Sequence, residues 1–289
     1  MKKLIAFLFI LILSIPLASL SGCKTRAASA GDYVYDHATY EYYSTYGALN
    51  TSVPNFETFA AIIETHRVAN ELGKPVKADP GWTYYIGAGA WNQTAIIQTD
   101  TYWDDAKFVI DDRNLVEVNQ RLFRVTSKMP SIDDSLVGKA LKKGDTNVGM
   151  TFEHDSLVSV VDNTKMRHRR GFNDSHPQRE EILVDKNGNI DSGTPILSDY
   201  VVTSSTVRPI DTEQLVIKGG NFTRIRAEIQ NRGYINRNIL IERSNTLVDG
   251  ICYEIQNNEN PDSPYNGFLR IQNSAHVTVQ NSANRAQNH

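Results

Sequence analysis

The chain has 289 residues, of which 40% are hydrophobic, and its formal net charge is −3. This composition supports a substantial core, and the near-balanced charge excludes the strongly basic character that is typical of nucleic-acid-binding proteins. Short strand-like runs with recurring Gly, Asn and Thr favour a β-rich protein, and one elongated β domain of this length is common.

A basic pair and a short apolar run open the chain. Lys2 and Lys3 precede the apolar residues 4–15, and Pro16 interrupts the run. An apolar run this short is typical of a secretory signal rather than of a membrane-spanning helix.

Residues 20–23, Leu-Ser-Gly-Cys, resemble the lipobox of bacterial lipoproteins. The resemblance implies a signal peptide over residues 1–22, an acylated Cys23 and a tether over residues 23–31. The protein would then be lipid-anchored in the bacterial cell envelope, facing the periplasm or at the cell surface. Cys252 would be left alone, with no disulfide within one chain. A plain secretory signal with a chance cysteine is the alternative.

Residues 55–72 carry consistent helix signals. Asn55 can cap the first turn, and apolar residues recur at three- and four-residue spacing along one face. Gly73 supplies a left-handed exit, and Pro75 prevents the helix from continuing. A Pro-Gly turn and a strand-like run over residues 82–86 follow.

The order Tyr46-Gly47-Ala48, helix, Pro80-Gly81-Trp82-Thr83-Tyr84 resembles the N-terminal entry of the pectate-lyase-like right-handed parallel β-helix superfamily, which includes phage tailspike and polygalacturonase-type relatives. The resemblance implies an all-β solenoid with an N-terminal capping α-helix: a β-helix domain over residues 32–289, with its cap over residues 32–86. Residues 49–55 depart from the pattern, because the family's Gly-Asp-Gly and Thr-Asp-Asp segment is absent. An αβ unit of another fold is the alternative.

A repeat begins at Leu215. Segments that start at Leu215, Ile239 and Val277 share apolar first and third positions and a turn that ends in Asn. Their starts lie 24 (239 − 215) and 38 (277 − 239) positions apart, which is typical of a solenoid of short parallel strands. We expect these three residues to stack in one interior column and the turn asparagines to form a ladder. A β-sandwich is the alternative.

Lys218, Glu242 and Gln280 would then lie on the outward face of one sheet, with Arg243 beside them at the turn. The family resemblance implies that a polysaccharide lies along such a face. A lyase would use Arg or Lys as its base, with Ca²⁺ neutralising the uronate, whereas a hydrolase would use a carboxylate pair. Lys218, Glu242 and Arg243 are therefore the catalytic candidates, although one acid is not a pair. An external ion-paired ladder is the alternative.

Trp103 stands beside Asp104-Asp105, and Asp111-Asp112 ends the same strand-like run. Clustered carboxylates could bind Ca²⁺, and Trp103 could be a platform for a sugar ring. The plainer interpretation is turn chemistry, because Asp is common where short strands end.

Two further stretches offer substrate contacts. The basic run over residues 165–170, which contains Arg167, Arg169 and Arg170, could grip the carboxylates or sulfates of an acidic polymer. A solvated loop is the alternative. A tyrosine-rich stretch over residues 33–46 could stack on sugars, although half-buried rings in a capping strand are the preferred interpretation. Residues 182–190 predict a hairpin that turns at Asn187-Gly188 and is inserted in the coil.

The leading functional interpretation is a lipid-anchored protein outside the cytoplasm that acts on polysaccharide as a lyase or a glycoside hydrolase. A non-catalytic surface lipoprotein that binds glycans or mediates adhesion is the alternative, and phage tailspike-type attachment is disfavoured because a lipobox has no use on a virion. The chain stops in a polar segment without a cap, so we expect incomplete C-terminal coils, either truncated or covered in an oligomer. Converging acids on the outward face would indicate catalysis, and exposed aromatic rings would indicate binding.

Overall fold

The structure, a computed structural model, describes residues 33–87, 93–172, 174–226, 234–256 and 265–285. The signal segment 1–22, Cys23 and the tether 23–31 lie outside these residues. The described part is mostly β, with one α-helix and nineteen strands in four sheets. Within these ranges, no helix combines the length and the hydropathy that a membrane span needs.

The elements fall into three consecutive groups along the chain. The first group is β1 (Glu41–Tyr42), a 3-10 helix (Tyr43–Tyr46), α1 (Glu57–Leu72), β2 (Val76–Lys77), β3 (Thr83–Gly87), β4 (Ala95–Ile97), β5 (Thr101–Asp111) and β6 (Phe123–Val125). The second is β7 (Ile132–Asp133), β8 (Ala140–Leu141), β9 (Ser156–His168), β10 (Ser175–Val184), β11 (Tyr200–Val201) and β12 (Ser204–Pro209). The third is β13 (Leu215–Ile225), β14 (Ile239–Ile241), β15 (Thr246–Asp249), β16 (Cys252–Gln256), β17 (Leu269–Ile271), β18 (Val277–Gln280) and β19 (Ala283–Arg285).

The predicted helix is confirmed, and it begins two residues later than expected. Asn55 caps it, because its Oδ1 accepts a hydrogen bond from the backbone N–H of Thr58 at 3.0 Å. Gly73 ends the helix in the left-handed region, at φ 69°. Phe59 and Ile62 lie on the buried face and pack into the main core.

The first and third groups together form what we call the body, which contains two parallel sheets. The larger sheet has the order β1-β2-β5-β13-β15-β18, while β3, β16 and β19 extend its pairing along the second halves of the long strands. The smaller sheet has the order β17-β14-β6-β4. Each long strand, β5 and β13, thus pairs with two short strands in succession on the same side. Where the pairing passes from the first short strand to the second, the long strand has one residue in the left-handed conformation, Asp104 in β5 and Gly219 in β13.

The interior columns differ from the predicted ones. Leu215 is in register with Thr246, and Thr246 with Val277, so equivalent residues recur every 31 positions (246 − 215 and 277 − 246). Ile239 instead pairs with Leu269 in the smaller sheet. The predicted column of Leu215, Ile239 and Val277 is therefore wrong, because the shared apolar template matched strands of two different sheets.

An asparagine ladder is present, but it uses other residues than the predicted ones. The Nδ2 group of Asn236 donates to Oδ1 of Asn119 at 2.8 Å, and that of Asn266 donates to Oδ1 of Asn236 at 2.9 Å. The Asn236 side-chain amide thus donates to one neighbour and accepts from the other, which satisfies its polar groups along the stacking direction.

Aromatic rings stack through the middle of the body. Tyr84, Phe108 and Phe222 occupy successive in-register positions, with ring centroids 5.2 Å and 4.6 Å apart. Tyr253 is in register with Phe222, and its ring stacks on that of Phe268 at 4.1 Å. These large buried rings supply much of the apolar area that stabilises the body.

The second group, β7–β12, is an antiparallel unit inserted between β6 and β13, which we call the inserted unit. β9 pairs with β10 on one side and with β12 on the other, and the unit has a core cluster of its own. The predicted turn at Asn187-Gly188 is confirmed, with Val184 bridged to Ile190 and Gly188 at φ 82°. The expected insertion is therefore a small antiparallel sheet rather than a single hairpin.

Candidate functional site

The outward side of the larger sheet carries a polar column in register across five strands. In β13, Leu215 and Ile217 are buried whereas Lys218 is exposed, as strand alternation requires. Register places Lys218 between Tyr102 of β5 and Asp249 of β15, and the column continues to Lys77 at one end and Gln280 at the other. Neighbouring strands lie about 4.8 Å apart, so adjacent side chains of this outer column can contact one ligand.

Tyrosine rings flank this column at the end formed by β2 and β5. The rings of Tyr40 and Tyr102 lie edge to face, 6.0 Å between centroids, and the Nζ atom of Lys77 lies 5.3 Å from the centre of the Tyr40 ring. Tyr33 is 40% exposed, and its ring centre lies 5.8 Å from the same Nζ atom. We call Tyr33, Tyr40, Lys77 and Tyr102 the tyrosine face. It joins flat apolar surface to hydrogen-bonding groups, the combination that a sugar ring can use.

Acidic and amide groups complete the surroundings. Asp104 lies 3.9 Å from the Nζ atom of Lys77, and Oδ1 of Asp249 accepts a hydrogen bond from the amide of Asn281 at 2.8 Å. Burial, and then the Asp100 carboxylate, raise the pKa of Tyr102. The Tyr102 hydroxyl therefore remains a neutral hydrogen-bond donor at physiological pH.

The second half of the same outward side holds a shallow groove of about 240 Å³, which Lys107, Thr223, Glu254 and Arg285 help to line. Register puts Thr223, Glu254 and Arg285 in one column. The Thr223 hydroxyl donates to Oε1 of Glu254 at 3.0 Å. The groove thus presents one carboxylate between two cationic side chains.

Asp111 is a buried acid at the end of β5, and its partners keep it ionised. Arg113 and the Tyr85 hydroxyl donate to it, at 2.6 Å and 2.7 Å respectively. The hydrogen bond from Arg113 is the main reason why the pKa of Asp111 is lowered. A proton donor for glycoside hydrolysis needs a raised pKa, so Asp111 does not suit that role.

The three predicted catalytic residues do not share a face. Lys218 lies in the outer column, whereas Glu242 follows β14 of the smaller sheet and forms an ion pair with Arg124. Arg243 is buried, lies 3.3 Å from Asp211 and donates to the backbone carbonyl of Glu213 at 2.7 Å. The prediction that these residues share one face is therefore wrong, because the apolar pattern that grouped them occurs in strands of two different sheets.

Sequence reasoning missed Asp249 and Tyr102. A repeat length of 31 would have found Asp249, because it lies 31 positions after Lys218 and 31 before Gln280 (249 − 218 and 280 − 249). Tyr102 was passed over in favour of its neighbour Trp103. Trp103 has 0% exposure, and its indole N–H donates to the Tyr43 hydroxyl at 2.8 Å. The sugar-platform prediction for Trp103 is therefore wrong, since strand alternation turns it inward and Tyr102 outward.

The acidic pairs serve structural roles. Asp105 accepts from the backbone N–H of Gly81 at 3.3 Å, at the turn before β3. Asp112 is fully buried, accepts from Nε of Arg237 at 2.9 Å and from the Tyr265 hydroxyl at 3.1 Å. In the part of the chain that the structure describes, no group of three or more His, Cys, Asp or Glu residues could hold a metal ion. The structure thus offers the predicted Ca²⁺ no such cluster there.

The predicted substrate-binding arginines lie on the inserted unit. Arg167 belongs to β9, where Nη2 donates to Oγ of Ser198 at 2.6 Å. Arg169 forms an ion pair with Asp174, and Arg170 is exposed at the tip between β9 and β10. These residues are therefore grouped with one another, on a different sheet from the tyrosine face.

Cys252 lies half-buried in β16 and is disulfide-bonded. The expectation of a lone cysteine is therefore wrong. It rested on acylation of Cys23, which lies outside the described residues. Since the sequence holds two cysteines, a bond to Cys252 within one chain and acylation of Cys23 exclude each other.

No family model matches this chain, and no curated protein matches it. Among solved structures, the tailspike of Pseudomonas phage phi297 is similar, with a TM-score of 0.43 and 11% identity over 84% of this chain and 46% of that one. The tailspike of Acinetobacter baumannii bacteriophage AP22, in complex with A. baumannii capsular saccharide, gives 0.39 and 10% over 84% and 36%. The tailspike of Pseudomonas phage LKA1 gives 0.38 and 10% over 82% and 51%. The chain thus spans about half the length of these proteins, or less.

Proposed function

We propose that this chain is a right-handed parallel β-helix that binds polysaccharide on the outward side of its larger sheet, without cleaving it. The observation that carries the proposal is the Tyr40–Tyr102 ring pair beside the outer column of Lys218 and Asp249. Partly exposed rings can pack on the C–H faces of sugars, while the amine and carboxylate next to them can bind hydroxyl groups.

Three features support the β-helix. Every pairing in the two sheets of the body is parallel, equivalent residues of the third group recur at 30 or 31 positions (269 − 239 and 246 − 215), and side chains stack between neighbouring strands. Short parallel strands that recur at a similar interval are typical of solenoids. Parallel crossover connections are overwhelmingly right-handed, which supports the proposed hand.

Binding is favoured over cleavage because, among the described residues, Glu254, Asp111 and Glu242 do not form a carboxylate pair. Glu254 stands between Lys107 and Arg285 at the groove, Asp111 is held ionised by Arg113, and Glu242 belongs to the smaller sheet. A hydrolase needs two carboxyl groups flanking one bond. A glycan-binding or adhesive protein needs only the exposed rings and polar groups that the outer column supplies.

Polysaccharide binding is tested by replacing both rings, Tyr40→Ala with Tyr102→Ala, in the full mature chain. Each lost ring contact weakens a stacked sugar by about 0.5–1.5 kcal/mol, so the double variant should bind about 5-fold to 150-fold more weakly. Titration calorimetry against a panel of neutral and uronic polysaccharides measures the change. The matched control is Glu242→Gln on the smaller sheet, which should bind like the wild type.

Equal binding by the double variant and the wild type would refute the tyrosine face as the site. The same incubations test catalysis, through absorbance of unsaturated products for a lyase and through reducing ends for a hydrolase. Product formation that Glu242→Gln abolishes would overturn the non-catalytic proposal and restore the role first predicted for Glu242.

We also propose that acylated Cys23 anchors the protein in the bacterial cell envelope, in which case the disulfide partner of Cys252 is a cysteine of another chain. The lipobox-like residues 20–23 support it, since acyl chains contribute about 0.8 kcal/mol per buried methylene. Intact-mass analysis of the protein from a bacterial membrane fraction should show a diacyl or triacyl increment that Cys23→Ala removes. A non-acylated chain in which both cysteines are oxidised would contradict the anchor.

A further inference from the structure

We propose a second ligand site, for the acidic groups of a polyanionic polysaccharide, in a cleft of the inserted unit. The cleft measures about 470 Å³ and lies along the hairpin of β9 and β10, lined by Arg167, Arg169, His176, Pro177 and Arg179 among others. It is distinct from the tyrosine face, so each proposal can fail without the other.

The cleft arises from an irregularity in strand pairing. His176 pairs with Arg167, but Gln178 pairs with Asp162, so the register shifts between Pro177 and Gln178. The extra β9 residues bulge, and such bulges redirect side chains at functional edges. Proline lacks the N–H that a regular ladder would use, which suits it to this position.

The charges around the cleft are only partly neutralised by the protein. Residues 165–179 contain five Lys or Arg residues and one Asp, a net charge of +4 (5 − 1) without the two histidines. Asp174 serves Arg169 and also lies 3.3 Å from Nε2 of His176, and Glu180 lies 3.7 Å from Arg167. Within the described ranges, Arg170 and Arg179 form no ion pair.

The chemistry of these side chains favours carboxylate or sulfate groups. A guanidinium presents parallel N–H donors that match the two oxygens of a carboxylate or sulfate, and arginines therefore dominate such sites. Arg169 also lies over the ring of Phe172, which is 64% exposed, with its Cζ atom 4.6 Å from the ring centre, a cation–π contact that helps to position the guanidinium.

The concave shape favours a polymer chain over a membrane surface. A planar bilayer would contact the exposed tip, at Arg170 and Phe172, but it could not enter the cleft beside Pro177 and Arg179. A sugar chain can place its acidic groups on the arginines and its ring faces on Pro177 and Val161, both of which line the cleft. The occupant is therefore a polysaccharide rich in uronate or sulfate.

The test compares polygalacturonate, dextran and anionic phospholipid vesicles as ligands of the full mature chain in low-salt buffer. The variant, called the cleft variant, is Arg170→Gln with Arg179→Gln, which removes one cation that lines the cleft and one at the tip beside it, neither of which forms an ion pair among the described residues. The matched control is Lys186→Gln with Lys143→Gln, which removes the same charge from exposed positions outside the cleft, in the same unit. Circular dichroism checks that each variant folds.

We expect the wild type and the control to bind polygalacturonate, with affinity falling as salt rises, and the cleft variant to bind about tenfold more weakly. Dextran binding should be unchanged by the cleft variant but weakened by the tyrosine replacements. Equal loss in the control and the cleft variant would overturn the site, because it would show a diffuse charge effect. Tighter binding to vesicles than to polygalacturonate would overturn the polysaccharide assignment.

Discussion

The body and the inserted unit bury apolar side chains in opposite ways. In the body, Phe222 packs on Phe108, which lies 114 positions earlier (222 − 108), and the contacting strands are parallel. In the inserted unit, Val158 pairs with Ile182, 24 positions later (182 − 158), across an antiparallel ladder. The body therefore joins chain segments from both sides of the insertion through parallel pairing, whereas the inserted unit closes on itself through antiparallel pairing.

The body forms the scaffold of the fold, and the inserted unit adds a separate surface to it. Parallel in-register strands place equivalent side chains beside one another, which produces an extended outward face. The antiparallel insertion places a dense set of cations at one hairpin without disturbing the repeat. Matched substitutions in the body and in the inserted unit test this difference.

The largest effect is expected from Phe222→Ala in the body. Its ring contacts those of Phe108 and Trp103, and truncating a buried Phe costs about 3–5 kcal/mol. The partner substitution in the inserted unit, Ile182→Ala, should cost about 2–4 kcal/mol and act locally. Urea unfolding measures the free energies, and hydrogen exchange locates the loss. If Phe222→Ala exposed β9 and β10 as much as β13, the two regions would be one cooperative unit.

Acid should weaken the body before the inserted unit. Burial lowers the pKa of His66 in α1 to about 3, so the folded body binds a proton there less readily than the unfolded chain, whose histidine titrates near 6.5. The contribution is complete above pH 6.5 and declines by about 1.4 kcal/mol per pH unit towards pH 3. In the inserted unit, the Thr164 hydrogen bond is the main cause that lowers the pKa of Asp162 to about 2. That contribution is present above about pH 3.8 and is lost between pH 3.8 and 2.

Hydrogen exchange at pH 7, 5 and 3 measures this order. His66→Gln keeps an acceptor for the Tyr43 hydroxyl, which lies 2.9 Å from Nε2 of His66, and should flatten the pH dependence between 6 and 4. Simultaneous loss of protection in both regions at pH 5 would show that His66 does not set the acid response of the body.

The smallest effects are expected from two glycines in the left-handed region. Gly144 of the inserted unit, at φ 85°, has open space around the position of a Cβ atom, so Gly144→Ala should cost only the conformational penalty of about 1–2 kcal/mol. At Gly219 of β13, φ 78°, a Cβ would overlap the backbone of Asp104 on the neighbouring strand. Gly219→Ala should therefore cost more than Gly144→Ala, by about 1 kcal/mol or more. Thermal unfolding of the two variants measures the difference. Equal shifts of the melting temperature would contradict a close contact between Gly219 and the neighbouring strand.

Local sequence determined the local elements of this protein. Asn55 and Gly73 fixed the ends of α1, and Gly188 marked a turn in the inserted unit, because each acts through its own backbone or that of near neighbours. Strand alternation also placed Lys218 outward correctly. These features need no knowledge of which strands later pair.

Only the tertiary structure decided register and sheet membership. Ile239 and Val277 follow the same apolar pattern, yet they lie in different sheets, since both sheets bury one face against the same core. That choice moved Glu242 away from Lys218 and brought Asp249 beside it. Trp103 and Tyr102 could each have faced outward by composition, and only the pairing of β5 with β2 and β13 selected Tyr102. Period-two alternation defines two faces, and contacts between distant strands decide which one meets solvent.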